Sequence, residues 1–221
     1  MDRLTALEGR VLGSLVEKAL TVPQYYPLTL NALVAACNQS SSRDPVTSYD
    51  HAQVLGAVES LKSKRMVRAV LPSHGRSVVR YRHVLDETLG LDAPQLAVLA
   101  VLVLRGPQTL AELRARTGRM AEIESVDHEL DLLASRAEPL CGRFPRRHGQ
   151  KEDRWTSLLA EPFPGAEAGF DGPGGGAGEA LGEVDEVRRD LDAVRAELTS
   201  LRAELCALRS ELDDLRTALG G

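Results

Sequence analysis

Cysteine is scarce and unpaired in this sequence. Cys37, Cys141 and Cys206 lie far apart with no CxxC or CxxH spacing, which excludes a disulfide framework and a zinc site as organising devices. Long hydrophobic runs are missing too: the longest, Leu96 to Leu104, is nine residues, against the ~20 that a membrane-spanning helix requires. The N-terminus, MDRLTALEGR, carries acidic and polar residues where a signal peptide would be apolar, so a cytoplasmic protein with no membrane partner is expected. Catalytic signatures are also lacking. The five histidines form no HxxxH or HExxH pair, there is no GxSxG elbow, and the GGGAG run at Gly174–Gly178 is followed by no Gly-Lys-Ser/Thr; each of those chemistries needs the missing partner. No catalytic residues, no metal ligands, no cofactor and no enzyme activity are expected.

What remains is ordinary globular composition, 43% apolar and 27% charged over 221 residues, enough for one large or two small folded units at ~100–150 residues each. The net charge of −5 is unevenly placed. Residues 1–90 hold 11 Lys+Arg against 8 Asp+Glu (+3), residues 91–163 hold 10 against 11 (−1), and residues 164–221 hold 6 against 13 (−7). The mildly basic first segment leaves a phosphate-bearing partner open, although a strong footprint would show a domain pI above ~9.

Residues 162–182 contain eight glycines and three prolines without hydrophobic period, the composition of a flexible linker; 21 such residues have a typical span of about 25 Å. Beyond it Val184, Val187, Leu191, Val194, Leu198, Leu201, Leu205, Leu208, Leu212, Leu215 and Leu219 recur at alternating spacings of three and four. With Val184 at heptad position a, Arg188, Arg195, Arg202, Arg209 and Arg216 fall at e, and Glu183, Asp190, Glu197, Glu204 and Glu211 fall at g. A parallel, in-register pair sets each g carboxylate against an e′ arginine, whereas antiparallel pairing opposes like charges. Parallel self-association over 183–221 is therefore expected, with Leu191, Val194, Leu198, Leu201, Leu205, Leu208, Leu212 and Leu215 forming the seam. Leucine at most a and d positions with no buried Asn leaves dimer and higher order both open, and a coiled-coil homodimer is the default.

The first 160 residues repeat one pattern. Leu4-Thr5-Ala6-Leu7-Glu8 and Leu91-Asp92-Ala93-Pro94-Gln95 each open a helix with a cap followed three residues later by an acid or amide. Pro27-Leu28-Thr29-Leu30-Asn31-Ala32-Leu33 and Pro107-Gln108-Thr109-Leu110-Ala111-Glu112-Leu113 share P-x-T-L-x-x-L and start second helices capped by Thr29 and Thr109. Third helices are predicted over about 49–64 and 124–135. A hairpin follows each: residues 66–82 with a basic tip, and residues 140–155 with a long polar loop. Three helices and a hairpin form the winged-helix variant of the helix-turn-helix. The expected fold is α+β, mainly α with small hairpins. Two tandem winged-helix domains, 1–90 and 91–161, precede the linker 162–182 and the helix 183–221. The segment Pro94–Leu104 is apolar nearly all round, so it is expected at the junction of the two units or at a subunit contact.

LTALEGRVLGSLVEK, QYYPLTLNALVAACNQSSSRDPV and VLRGPQTLAELRARTGRM resemble the YceH family, bacterial proteins built from two winged helices. The resemblance covers most of residues 3–160 and implies that fold, a C-terminal coiled-coil helix and no enzymatic activity. It implies no ligand and no functional residues. The long Gly-rich linker departs from it.

A helix-turn-helix meets base edges with the N-terminal residues of its third helix and backbone phosphates with its wing. In the first unit those positions are Arg43, Thr47, Ser48, Tyr49, His51 and Gln53, with His74, Arg76, Arg80 and Arg82 on the wing. The second unit's third helix is acidic, with Glu122, Glu124, Asp127, Glu129 and Asp131, although its wing carries Arg143, Arg146, Arg147 and Lys151. The first unit is thus the one expected to bind double-stranded DNA. The repeated Ser-x-Asp-His at Ser48–His51 and Ser125–His128 is read as helix capping, not as a catalytic pair, because adjacent Asp and His side chains point apart on a helix. The alternative to a DNA-binding regulator is a winged-helix scaffold for a protein partner.

Overall fold

The structure, a computed structural model, describes residues 3–71, 78–144 and 152–163. The hairpin tips, most of the linker and the heptad helix with its seam lie outside the described residues. The described residues all belong to one compact unit. Among the described residues seven α-helices and two small antiparallel sheets give an α+β fold.

Helix α1 (Ala6–Thr21) starts where predicted, because Thr5 and Glu8 make a capping box: the Glu8 N–H donates to the Thr5 hydroxyl at 3.2 Å and the Thr5 N–H to the Glu8 carboxylate at 2.8 Å. A 3-10 turn, Pro23–Tyr25, leads to strand β1 (Leu28–Thr29) and helix α2 (Leu30–Cys37), capped by Thr29. A thirteen-residue connection reaches α3 (His51–Ser63), and β2 (Val67–Val70) and β3 (Arg80–His83) form the hairpin. Strand β3 is central in the order β1-β3-β2, with Leu28 opposite Tyr81 and Val67 opposite His83. A five-residue helix, α4 (Leu85–Leu89), which the hydrophobic pattern does not announce, carries the chain to the second half.

That half repeats the order. Helix α5 (Ala93–Arg105) is capped by Asp92 and α6 (Leu110–Thr117) by Thr109, followed by α7 (Val126–Ala134), β4 (Cys141–Phe144) and β5 (Arg154–Ser157). The likeness reaches the backbone pairing. Gln108, one residue before the Thr109 cap, exchanges hydrogen bonds of 2.9 and 2.7 Å with Trp155, just as Leu28, one residue before the Thr29 cap, lies opposite Tyr81. The two Ser-x-Asp-His copies diverge in use: Asp50 caps α3, whereas Ser125 caps α7. The third helix therefore starts two motif positions later in the first copy than in the second.

Helix α5 sits at the junction, with α1 on one side and α6, α7 and β5 on the other, and its residues Leu96 to Leu102 are all buried. One continuous apolar cluster runs through both halves. Close approach depends on glycine in α1: a Cβ at Gly9 would lie 2.7 Å from the Ala160 Cβ, and one at Gly13 would lie 3.0 Å from Leu104. The end of the second half then returns to the start of the first. Leu4, fully buried, donates its N–H to the Leu159 carbonyl at 2.9 Å and accepts from the Glu161 N–H at 2.8 Å. This strap continues to Phe163, two residues past the expected end of the folded part, and its ring covers the Arg10 guanidinium at 4.7 Å.

Candidate nucleic-acid interface

The segment between α2 and α3 decides where α3 points, and buried polar side chains hold it. Asn38 is the hub: its amide donates to the Tyr49 carbonyl at 2.7 Å, and its oxygen accepts from the Tyr49 N–H at 2.8 Å and the Thr47 hydroxyl at 3.4 Å. Arg10, with no exposed surface, donates to the Cys37 and Pro45 carbonyls at 3.1 and 2.6 Å and to the Thr47 hydroxyl at 3.3 Å. Burial, with Arg43 nearby, pulls its basicity down to about 10. Burial likewise pushes the Cys37 thiol up to about 11, which leaves an inert core thiol.

Arg43 is inside the fold and not on the interface where the sequence pattern set it. Its side chain has no exposed surface, pairs with Glu17 at 2.6 Å and donates to the Ala36 carbonyl at 3.0 and 2.8 Å. A guanidinium so enclosed cannot reach a phosphate; it secures the loop. Thr47 is also occupied, between Arg10 and the Cys37 carbonyl. Tyr49 is half-buried against the core.

Of the remaining residues, Ser48, His51 and Gln53 lie together, exposed, at the start of α3. The His51 Nε2 lies 3.0 Å from the Asn31 side-chain oxygen on α2, and the Gln53 side chain closes the capping box by accepting from the Asp50 N–H at 2.9 Å. Asn31 is a member of this face that the sequence pattern did not mark. Beyond the first turn the outward positions are Ala52, Leu55, Gly56 and Glu59. Arg80, exposed on β3, donates to the Pro27 carbonyl at 2.8 Å. Arg82 is drawn to Glu87 at 2.5 Å, and Arg68 reaches the same carboxylate at 3.0 Å; the arginine beside it holds the Glu87 carboxyl below the usual range. His74 and Arg76 lie outside the described residues.

In the second half Asp127 and Asp131 of α7 face a cleft of about 550 Å³ that is lined also by Glu152, Asp153, Arg143, Leu110 and Trp155. Arg143 pairs with Asp153 at 2.6 Å and Asp127 with Arg114 at 3.3 Å, so this surface offers carboxylates where the first half offers His51 and Arg80. Arg146, Arg147 and Lys151 lie outside the described residues. Among the described residues no group of three His, Cys, Asp or Glu side chains could hold a metal ion, and no helix is long and apolar enough to cross a membrane.

Comparison with known proteins places these features in a wide bacterial set. The family model described as "Protein of unknown function, DUF480" matches residues 4–150. A UPF0502 protein of Geotalea daltonii is 50% identical over 168 residues, covering 74% of this chain and 76% of that one. One of Geobacter sulfurreducens is 45% identical over 188 residues, covering 83% and 85%, and one of Cupriavidus necator 45% over 190, covering 84% and 77%. With half its residues shared across most of the folded part, this chain belongs to the DUF480 family of proteins of unknown function.

Proposed function

We propose that this chain is a cytoplasmic, non-enzymatic tandem winged-helix protein, as the YceH resemblance implies. Its first half, 1–90, binds double-stranded DNA, and the helix 183–221 holds a parallel homodimer. The β1-β3-β2 sheet around three helices supports the winged-helix assignment. Gly56 carries the DNA assignment. A glycine in the middle of a helix costs ~1 kcal/mol relative to alanine, and a Cβ there would meet nothing within 4 Å among the described residues. The packing of α3 within the fold does not use the missing side chain. A duplex groove against which α3 is pressed would use it, with His51 and Ser48 at base edges and Arg80 beside the backbone.

Fluorescence anisotropy of the full chain on a mixed-sequence duplex tests this. The log of the affinity falls linearly with the log of salt concentration, with a slope of about −0.9 per phosphate contact. An Arg76→Ala, Arg80→Ala variant binds more weakly and with a shallower slope. No binding at low salt overturns the proposal.

A protein partner is favoured by a different observation. Leu71 and Val78 beside the hairpin strands are 74% and 64% exposed, while Arg68 and Arg82 are both engaged by Glu87. Two exposed apolar residues flanking the hairpin tip suit a protein surface. A defined partner that survives nuclease treatment and persists in the Arg76→Ala, Arg80→Ala variant would favour the scaffold over the DNA-binding regulator.

A further inference from the structure

The outer face of the β2-β3 hairpin carries a charge arrangement that strand pairing by itself disfavours. Arg68 and Arg82 lie directly opposite each other in the ladder, and Val70 lies opposite Arg80. Side chains alternate across a strand, so these four share one face, whereas Val67, Tyr81 and His83 on the other face are buried. Like charges directly opposite in an antiparallel pair repel. The arginine pair therefore calls for an anion.

The chain supplies one from α4. Glu87 Oε1 accepts from Arg82 Nη2 at 2.5 Å, and its Oε2 accepts from Arg68 Nη2 at 3.0 Å. Helix α4 is pinned where it delivers that carboxylate: Leu85 is buried, the Thr88 hydroxyl donates to the Arg65 carbonyl at 2.9 Å, and the Val84 N–H donates to the Met66 carbonyl at 2.9 Å. The adjacent Asp86 is turned instead toward the His83 ring, 3.7 Å from Nδ1. The hydrogen bond from Arg82 holds the Glu87 carboxyl below the usual range, so it carries its charge at neutral pH. One negative charge is nevertheless divided between two guanidinium groups. Each gives a single Nη2 contact, not the paired fork that a carboxylate or phosphate can accept. All three side chains reach solvent, with Arg68 56%, Glu87 43% and Arg82 29% exposed. The carboxylate can swing away without opening the core, and exposed ion pairs of this kind are weak.

We propose that Glu87 stands in for a backbone phosphate on the wing, holding Arg68 and Arg82 in the free protein and giving them up to duplex DNA when it binds. This inference rests on the DNA reading of the first half and adds Arg68 to its contacts. A duplex offers successive phosphates, so each arginine gains an oxyanion of its own and the full fork becomes usable. Arg80, on the same face, continues the row. Glu87 thus acts as a brake whose removal strengthens binding.

The test is duplex anisotropy on the full chain, comparing wild type with Glu87→Gln at several salt concentrations. Glu87→Gln binds roughly threefold to tenfold more tightly at low salt, because two exposed ion pairs no longer have to be broken, and its salt slope is steeper by about 0.9, the equivalent of one further phosphate contact. Its Tm stays within about 2 °C of wild type. Asp86→Asn removes the same charge one residue away and gives a smaller gain. In an Arg68→Gln, Arg82→Gln background Glu87→Gln has no effect, since the coupling is lost with its partners. Duplex affinity unchanged in Glu87→Gln overturns the brake while leaving the DNA reading in place. A gain matched by Asp86→Asn, or retained without the two arginines, overturns it as well by reducing the effect to net charge. No duplex binding by wild type or Glu87→Gln overturns the DNA reading and the brake together.

Discussion

Gly56→Ala stabilises the protein, and Gly56→Leu weakens its hold on DNA tenfold or more; the pair separates what the fold needs from what the partner needs. Gly56 lies inside the thirteen-residue α3, with open space where a Cβ would stand. Alanine there gains the helix-propensity difference of about 0.8–1.0 kcal/mol with no steric cost. For a folded part of this size that is a rise in Tm of roughly 2–4 °C, measurable by circular dichroism on the full chain. Leucine is nearly as good a helix former as alanine, so Gly56→Leu also folds at least as well as wild type. Its side chain occupies the outward face between Ala52 and Glu59, and held a helical turn away from the groove, α3 loses its base contacts. Each well-made base contact is worth ~1–3 kcal/mol, so affinity for duplex falls by tenfold or more. The two readouts move in opposite directions. A lower Tm for Gly56→Ala would refute the account of α3 packing, and unchanged duplex affinity in Gly56→Leu would refute the close approach.

The glycines of α1 behave in the opposite way: Gly9→Ala drives a methyl to within 2.7 Å of Ala160 and destabilises by about 1–3 kcal/mol in chemical denaturation, as overpacking does. Glu17→Gln leaves Arg43 buried without its charge partner and costs ~3–5 kcal/mol. Burial works to raise the Glu17 pKa, but the hydrogen bond and charge of Arg43 outweigh it and hold the carboxyl below its ordinary 4.5. That stability is therefore present above pH 4.5, is lost as pH falls further, and is missing from the pH profile of Glu17→Gln. His83 sets a separate window. Its ring is buried, Nδ1 has no hydrogen-bond partner among the described residues, and burial lowers its pKa below 6.5 against the pull of Asp86. The unfolded chain takes up that proton first, so stability is full above pH 6.5 and declines below it, and His83→Gln removes the decline.

Much of the architecture was legible because local chemistry and packing agree. Thr5, Thr29, Asp92 and Thr109 announce helix starts, and each accepts the expected backbone N–H. The apolar circumference of α5 required cover on several sides, and α1, α6, α7 and β5 supply it. Arg43 misled because composition alone does not separate a cation that meets phosphate from one that braces a loop. Only the fold brings Glu17, 26 residues away, within 2.6 Å. Asn31, Asn38 and Arg10 escaped notice for the same reason: their partners are backbone carbonyls or residues from another element. Helix α4 has five residues, too few for a 3.6-residue period to register.

The strap at Leu4 bears on how the polypeptide folds as it leaves the ribosome. Both backbone partners of Leu4 lie at 159 and 161, and the face of α1 bearing Gly9 and Gly13 is covered by α5 and Ala160. When the first ninety residues have emerged, α1 has its own three-helix neighbours but an uncovered side, and its N-terminal residue waits for a segment not yet made. The amino-terminal half then completes its structure only after some seventy further residues arrive, which at ~5–20 residues per second is a delay of about 4–14 seconds. The seam is closed by a segment synthesised some seventy residues after the first half.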